Sequence, residues 1–339
     1  MNQLQFHIIV PAYNAAKSIE RCIRSVTSQS YENRYLVIVN DGSTDATVEL
    51  AARYGAGDDR ISVLHQENGG QIAARDAGIA YALTHSDADA YLMFLDADDE
   101  LKPGALQRIA ELIDMHGCDM LVFGAENYDA DTDKIRGMLS GNAQGKVQSK
   151  SELYKIVLYD TGYNSLCRKV IAKKAFLTTD YAAYTDLRYG EDLIQSLDYY
   201  RSVESVFFTQ SIFYRYHVNP ESMTHTIDFY SYPIDSTVRR LTWEFVVAEN
   251  VWSDKELNDY AQFLLDLLEK KLVSLCIFNV PFTEKAKVFD RVLADPFYAM
   301  LLSRELVRGR VITLLLKRQF KAMIAAAKLK KLVNHFSRS

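Results

Sequence analysis

Over the first 127 positions, short apolar runs alternate with stretches in which apolar residues recur three to four apart. FHIIV (6–10), YLVIVN (35–40), ISVLH (61–65), AYLMFL (90–95) and DMLVFGA (119–125) have strand length and strand composition. Between them lie Ile19, Ile23 and Val26, then Val48 to Tyr54, Ile72 to Leu83 and Leu106 to Ile113, all at helical spacing. This alternation predicts βαβ units and a largely parallel sheet. The first four runs lead into polar or glycine-bearing residues, PAYN, DGSTD, QENGG and DADDE. In an open α/β sheet ligands sit beyond the carboxyl ends of the strands, so these four segments are expected to line one crevice.

The pattern then changes twice. Residues 129–148 (DADTDKIRGMLSGNAQGKVQ) turn polar and glycine-bearing, which predicts a loop or an irregular hairpin. Helices are expected near 151–159 and 191–201, and strands near 203–208 and 211–217. Beyond Asp228 the periodicity is helical throughout, with Leu257, Leu264, Leu268 and Leu272 on a repeating face. No internal repeat or low-complexity tract interrupts it.

With 339 residues and 48% apolar composition, the chain can bury a large core in one or two domains. Cys22, Cys118, Cys167 and Cys276 are far apart, without a C-x-x-C pair, so neither a disulfide framework nor a zinc site is expected, and a reducing cytoplasm fits. MNQLQFHIIVP lacks a basic, apolar leader pattern, and no window reaches the roughly 18 to 20 apolar residues that span a bilayer. Charge is unevenly placed: residues 304–338 hold ten Lys and Arg against one acid, a net +9 in a chain of net −5. The tail RVITLLLKRQFKAMIAAAKLKKLVNHF sets Ile312, Leu315, Phe320, Met323, Ile324 and Ala327 broadly to one side. Such a helix can lie on an anionic membrane at the inner face, or pack on the helical region or on a second subunit as a homo-oligomer. The acidic body and the absence of a recognised module argue against nucleic acid.

Within YLMFLDADDEL a buried-type strand runs into four carboxylates. A calcium loop is excluded by Leu101, which occupies the position that needs glycine. Hard cations such as Mg2+ or Mn2+ take oxygen ligands and leave room for water and substrate phosphates. On an extended chain Asp96 and Asp98, two apart, would point the same way and together hold a metal-bound diphosphate, while Glu100 would be solvated.

VPAYNAAKSIERCIRSVTSQSY, VIVNDGSTDAT, ENGGQIAARDAGIAYA and MFLDADDEL, in that order, closely resemble the family 2 glycosyltransferases. The likeness continues more weakly through YGEDLIQSL and YRYHVNPESMTH. It implies an α/β fold of GT-A type over residues 1–225, with a nucleotide-binding half at 1–127, an acceptor half at 128–225, and a helical extension at 226–339. It also implies inverting transfer from a nucleotide-sugar donor, UDP-linked, to a glycan or lipid-linked acceptor. By position, Pro11, Ala12, Tyr13 and Asn14 would line the nucleobase pocket, Asp41 the uracil or ribose, and Asn68 the nucleotide. Arg75 would lie near the base or diphosphate, Asp96 and Ala97 near the ribose, and Asp98 with Asp96 on the metal. Asp76 departs from the asparagine that commonly follows this arginine.

Displacement at an anomeric carbon needs a base for the acceptor hydroxyl. Glu191 and Asp192 are the candidates, and Asp192 shares a helical face with Gln195, Ser196 and Tyr199. His217 is a candidate third metal ligand and His225 a weaker one. Tyr181, Tyr184 and Tyr189, in a tyrosine-rich stretch, could meet sugar faces. A nucleotidyltransferase would carry a Gly-rich basic loop where PAYNAAKS stands; a catalytically silent sugar- or membrane-binding module is the rival from another class.

Overall fold

The computed structural model describes residues 3–176, 190–218 and 232–336. Tyr181, Tyr184, Tyr189 and His225 lie outside them. The chain divides into two compact units, residues 1–225 and 226–339.

In the first unit, β1 (Phe6–Ala12), β2 (Arg34–Asp41), β3 (Ile61–Gln66) and β4 (Tyr91–Phe94) alternate with α1 (Ile19–Thr27), α2 (Thr47–Gly55) and α3 (Gly70–His85). β1 pairs in parallel with β2 and β4, and β2 with β3, as alternation of the two periods predicts. Ile8, Ile9 and Val10 of β1 and Leu92, Met93 and Phe94 of β4 are completely buried, so both faces of this sheet are covered. Close packing of α3 depends on Gly78: a Cβ there would lie 2.4 Å from Ile9 Cγ2.

The other half of the sheet departs from a simple parallel continuation. After β5 (Glu100–Leu101), α4 (Ala105–His116) and β6 (Met120–Asp129), the polar stretch forms β7 (Lys134–Leu139), hairpinned on β6, and β8 (Gly145–Val147). Helix α5 (Lys150–Tyr159) and a 3-10 turn at Leu166–Arg168 lead to β9 (Lys169–Ala172). The short β9, which the sequence pattern does not reveal, inserts antiparallel between β4 and β6. The two strands expected at 203–208 and 211–217 are one strand, β10 (Val206–His217), entered after α6 (Glu191–Ser202). Its register shifts between Phe208 and Tyr214, so the polar Thr209–Ser211 segment is an irregularity within the strand. The sheet order is β3-β2-β1-β4-β9-β6-β10-β5.

The second unit consists, among the described residues, of α7 (Tyr232–Glu249), α8 (Asp254–Ile277), α9 (Phe282–Ala294), α10 (Pro296–Ser303), α11 (Arg310–Leu316) and α12 (Phe320–Phe336). Ser253 and Glu256 cap α8 reciprocally, satisfying N–H groups that a helix start leaves unpaired. Leu264, Leu268 and Leu272 form the buried stripe of α8, with Leu257 half-buried at its start. In the basic tail, Ile312, Leu315, Met323 and Ala327 are buried, and α11 and α12 pack on α8. The apolar side of the tail thus covers a core within its own unit. No described helix is long and apolar enough to cross a membrane.

Candidate active site

The ends of β1 and β2 are tied together by hydrogen bonds between their loops. Asn14, at φ +49°, donates its N–H to Ser43 Oγ (3.0 Å), and its Oδ1 accepts the N–H of Thr44 (2.9 Å). The N–H of Ala15 reaches Thr47 Oγ1 (2.7 Å), and that of Ala16 reaches Asp45 (3.0 Å). Slight burial works to raise the Asp45 carboxyl, but the Thr47 hydroxyl and the N–H groups of Ala16 and Thr47 outweigh it and hold the group below its ordinary range. Pro11 is half-buried, Ala12 buried and Asn14 exposed, while the Tyr13 ring is 54% exposed and offers a free aromatic face at the strand end.

Asp41, expected at the nucleoside, is engaged within the chain. It is 3% exposed, and both carboxylate oxygens are taken within the chain. Oδ1 accepts from Gln66 Nε2 and the Gly69 N–H, each at 2.8 Å, and Oδ2 from the Gly70 N–H at 2.9 Å. An acid satisfying the first N–H groups of α3 is favourably placed at a helix N-terminus. Asn68, exposed, donates from its side chain to the Asp41 carbonyl (3.0 Å). The loops meet so closely that Gly42, at φ +71°, would place a Cβ 2.8 Å from the Asn68 nitrogen.

The acidic stretch is a turn rather than an extended chain, because β4 ends at Phe94 and the Asp99 N–H closes on the Asp96 carbonyl at 3.0 Å. Asp96 and Asp98 therefore do not share an orientation through strand alternation. Ala97 is buried in the turn and the Asp98 side chain is exposed. Asp99, fully buried, accepts the Tyr214 hydroxyl (2.6 Å) and the His217 N–H (2.8 Å). Tyr214 in turn accepts the Asp96 N–H at 3.3 Å, and Arg21 donates to the Asp98 carbonyl at 2.6 Å. Glu100 is not simply solvated: it pairs with His217 Nε2 and lies 3.8 Å from Arg21.

Arg75 joins this turn to α6. Its guanidinium, 1% exposed, donates to Asp192 Oδ1, lies 3.2 Å from Gln195 Oε1 and forms an ion pair with Asp96 at 3.5 Å. Burial opposes its charge, but the Asp192 and Asp96 carboxylates outweigh that and raise its pKa above the ordinary value. Asp96 also accepts from Gln71 Nε2 (3.3 Å), and burial together with the nearby Asp96 charge pushes the Cys167 thiol up. Burial, with repulsion from Asp192 and Asp98, pushes the Asp96 carboxyl up against the pull of Arg75. The second oxygen of Asp192 accepts the Leu166 N–H at 3.2 Å. Glu191, half-buried, is pushed up to about 7 by burial and by the adjacent Asp192. Gln71 and Arg75, and Asp192 and Gln195, stand one helical turn apart, the one sequence signal for the glutamines. Nothing in the sequence marks Leu166, Cys167 or Tyr214.

Asp96 and Asp98 are brought near the Arg75 network, and His217 is engaged at the same turn through Glu100 and Asp99. Its Nε2 is engaged with Glu100, and its buried Nδ1 has no hydrogen-bond partner among the described residues. Among the described residues no group of three or more His, Cys, Asp or Glu side chains is arranged to hold a metal. What remains is one exposed carboxylate, Asp98, beside the partly exposed Asp96. That donor set fits a hard cation that takes most of its ligands from water and substrate phosphates.

This arrangement, a doubly covered sheet whose strand ends gather the polar loops and an acidic turn, is a GT-A-like α/β fold. It matches the crystal structure of S. aureus TarS 1-349 in complex with UDP-GlcNAc over 97% of this chain and 92% of that one, with TM-score 0.68 and 17% identity. The chain belongs to the glycosyl transferase family 2, whose model matches residues 7–176. It is 31% identical over 226 residues to the uncharacterized glycosyltransferase EpsJ of Bacillus subtilis, covering 64% of this chain and 62% of EpsJ. Glycosyltransferase GlyA of Streptococcus pneumoniae is 26% identical over 293 residues, 84% of this chain and 37% of GlyA. The chain thus spans less than two thirds of either relative's length.

Proposed function

We propose that the chain transfers a sugar, with inversion, from a UDP-linked donor to a hydroxyl of a glycan or lipid-linked acceptor. The observation that carries this reading is the buried Arg75 joining Asp96, at the end of β4, to Asp192, at the start of α6. One cation thereby fixes the donor-side carboxylate relative to the acceptor-side one, and fixed geometry is a large part of what a displacement reaction requires. The acceptor oxygen attacks the anomeric carbon as the bond to the nucleoside diphosphate breaks, and Asp192 takes the hydroxyl proton. A single displacement inverts the anomeric centre. Tyr13 supplies the exposed aromatic face for the base, in keeping with the UDP-GlcNAc held by the TarS fold neighbour. Asp98, with Asp96, would hold Mn2+ or Mg2+, which when bound offsets the charge of the leaving diphosphate.

Glu191 supports a second assignment of the base. Its pKa near 7 suits proton transfer at neutral pH, whereas Asp192 is already held by Arg75 and the Leu166 N–H. Loss of turnover in Glu191→Gln, with Asp192→Asn still active, would select it.

A panel of nucleotide-sugars with Mn2+ or Mg2+, scored by thermal shift and donor hydrolysis, tests the function. UDP-sugars are expected to raise the melting temperature most, because a ligand stabilises the state that binds it. The anomeric configuration of the transferred sugar, read by NMR, tests inversion; retention would reject the single displacement.

A further inference from the structure

Lys169, the first residue of β9, is a lysine with no solvent exposure. Burying an ammonium is costly unless its donors are satisfied. Here Nζ donates to the carbonyls of Tyr163 (2.7 Å) and Ser165 (2.6 Å), with that of Asn164 at 3.4 Å. The Ser165 carbonyl belongs to the same planar peptide unit as the Leu166 N–H. In a trans peptide those two groups point in opposite directions. The opposite end of this unit, the Leu166 N–H, is the donor that Asp192 Oδ2 accepts at 3.2 Å.

We propose that Lys169 is a positioning residue: by gripping the Ser165 carbonyl, it aims the Leu166 N–H at Asp192 and polarises it. Hydrogen bonds in series strengthen one another, so an N–H donor at the carbonyl end makes the amide a better donor at the other. Burial brings the Lys169 ammonium down to about 7, with the charge of Asp192 the leading influence in the other direction. Asp192 is thus held from two sides, by Arg75 directly and by Lys169 through one peptide unit. Cys167, in the same 3-10 turn, feels the Asp96 charge, so this short segment lies close to both carboxylates that Arg75 joins. The consequence for turnover rests on reading Asp192 as the base; the contact itself does not.

Full-length Lys169→Met separates the two. Exchange of the Leu166 amide should accelerate roughly tenfold, equivalent to about 1.4 kcal/mol, and its proton resonance should move upfield. The Ile9 amide, in the core of β1, should be unchanged. An unaltered Leu166 amide, or equal acceleration at Ile9, would overturn the inference. A second variant, Leu166→Pro, deletes the N–H where Ser165 already has φ −62° and ψ 129°, which a following proline accepts. Hydrolysis of UDP-GlcNAc with Mn2+ should fall roughly tenfold in either variant, and no further in the double variant, since both break one link. Additive losses would show that Lys169 acts elsewhere. If Asp192→Asn retains full turnover while the amide response is as expected, the assignment of the base fails and the inference about Lys169 stands.

Discussion

The β1–β2 loops and the β4–α6 side of the site place polar residues on opposite principles. Around PAYN and DGSTD, side chains cap backbone: Asn14, Asp45 and Thr47 each meet N–H groups of the neighbouring loop, and the bonds are largely exposed. Around DADDE and GED, charges are held with little water: Arg75 lies between Asp96 and Asp192, and the buried Lys169 is linked to Asp192 through the Ser165–Leu166 peptide unit. The first arrangement holds a shape and can lose any one bond cheaply. The second holds charges whose partners cannot be removed singly without leaving an uncompensated ion.

Removing the central cation should give the largest effect. Arg75→Met should lower stability by about 3 kcal/mol or more and abolish detectable turnover, read from denaturant midpoint and hydrolysis of whichever UDP-sugar the unmodified chain turns over. A stable, active Arg75→Met enzyme would end the contrast. Glu191 gives the next effect, with a defined pH window. Its carboxyl ionises near 4.5 when unfolded but near 7 when folded, so the folded state loses stability as pH rises from about 4.5 to 7. Glu191→Gln should therefore change little at pH 4 and stabilise at pH 8 by something on the order of 2 kcal/mol, after allowing for partial exposure. Equal effects at both pH values would remove burial as the cause. The smallest change belongs to the loops: Asp45→Ala should cost no more than about 1 kcal/mol and weaken UDP binding only a few-fold, by calorimetry. A loss as large as that of Arg75→Met would erase the distinction between the two regions.

The same contrast explains what the sequence discloses. β1 to β4 and their helices are legible because each buries a regular apolar pattern, and their order alone places the four polar segments at one edge. β9 is hidden because KVIA is four residues long and begins with a lysine, a residue almost never buried without partners. Its partners are backbone carbonyls, which no side-chain pattern encodes. Spacing misleads at Asp96 and Asp98 because the i, i+2 rule holds only while the strand continues, and it ends at Phe94. The backbone contacts of Asp41 are not legible either, since an acid beside a glycine-rich helix start serves ligand and backbone equally well by type. The basic tail has the amphipathic pattern of a membrane-surface helix, yet Met323 and Ala327 lie in a protein core. Periodicity identifies an apolar face but not what covers it.

Asp192→Asn tests the central claim most directly, because it keeps the size of the side chain while removing both its capacity to accept a proton and the charge that pairs with Arg75. With UDP affinity measured by calorimetry alongside UDP-sugar turnover, the account predicts a dissociation constant within about threefold of the unmodified chain and turnover lower by roughly 10² to 10⁴. Undiminished turnover at unchanged affinity would contradict it.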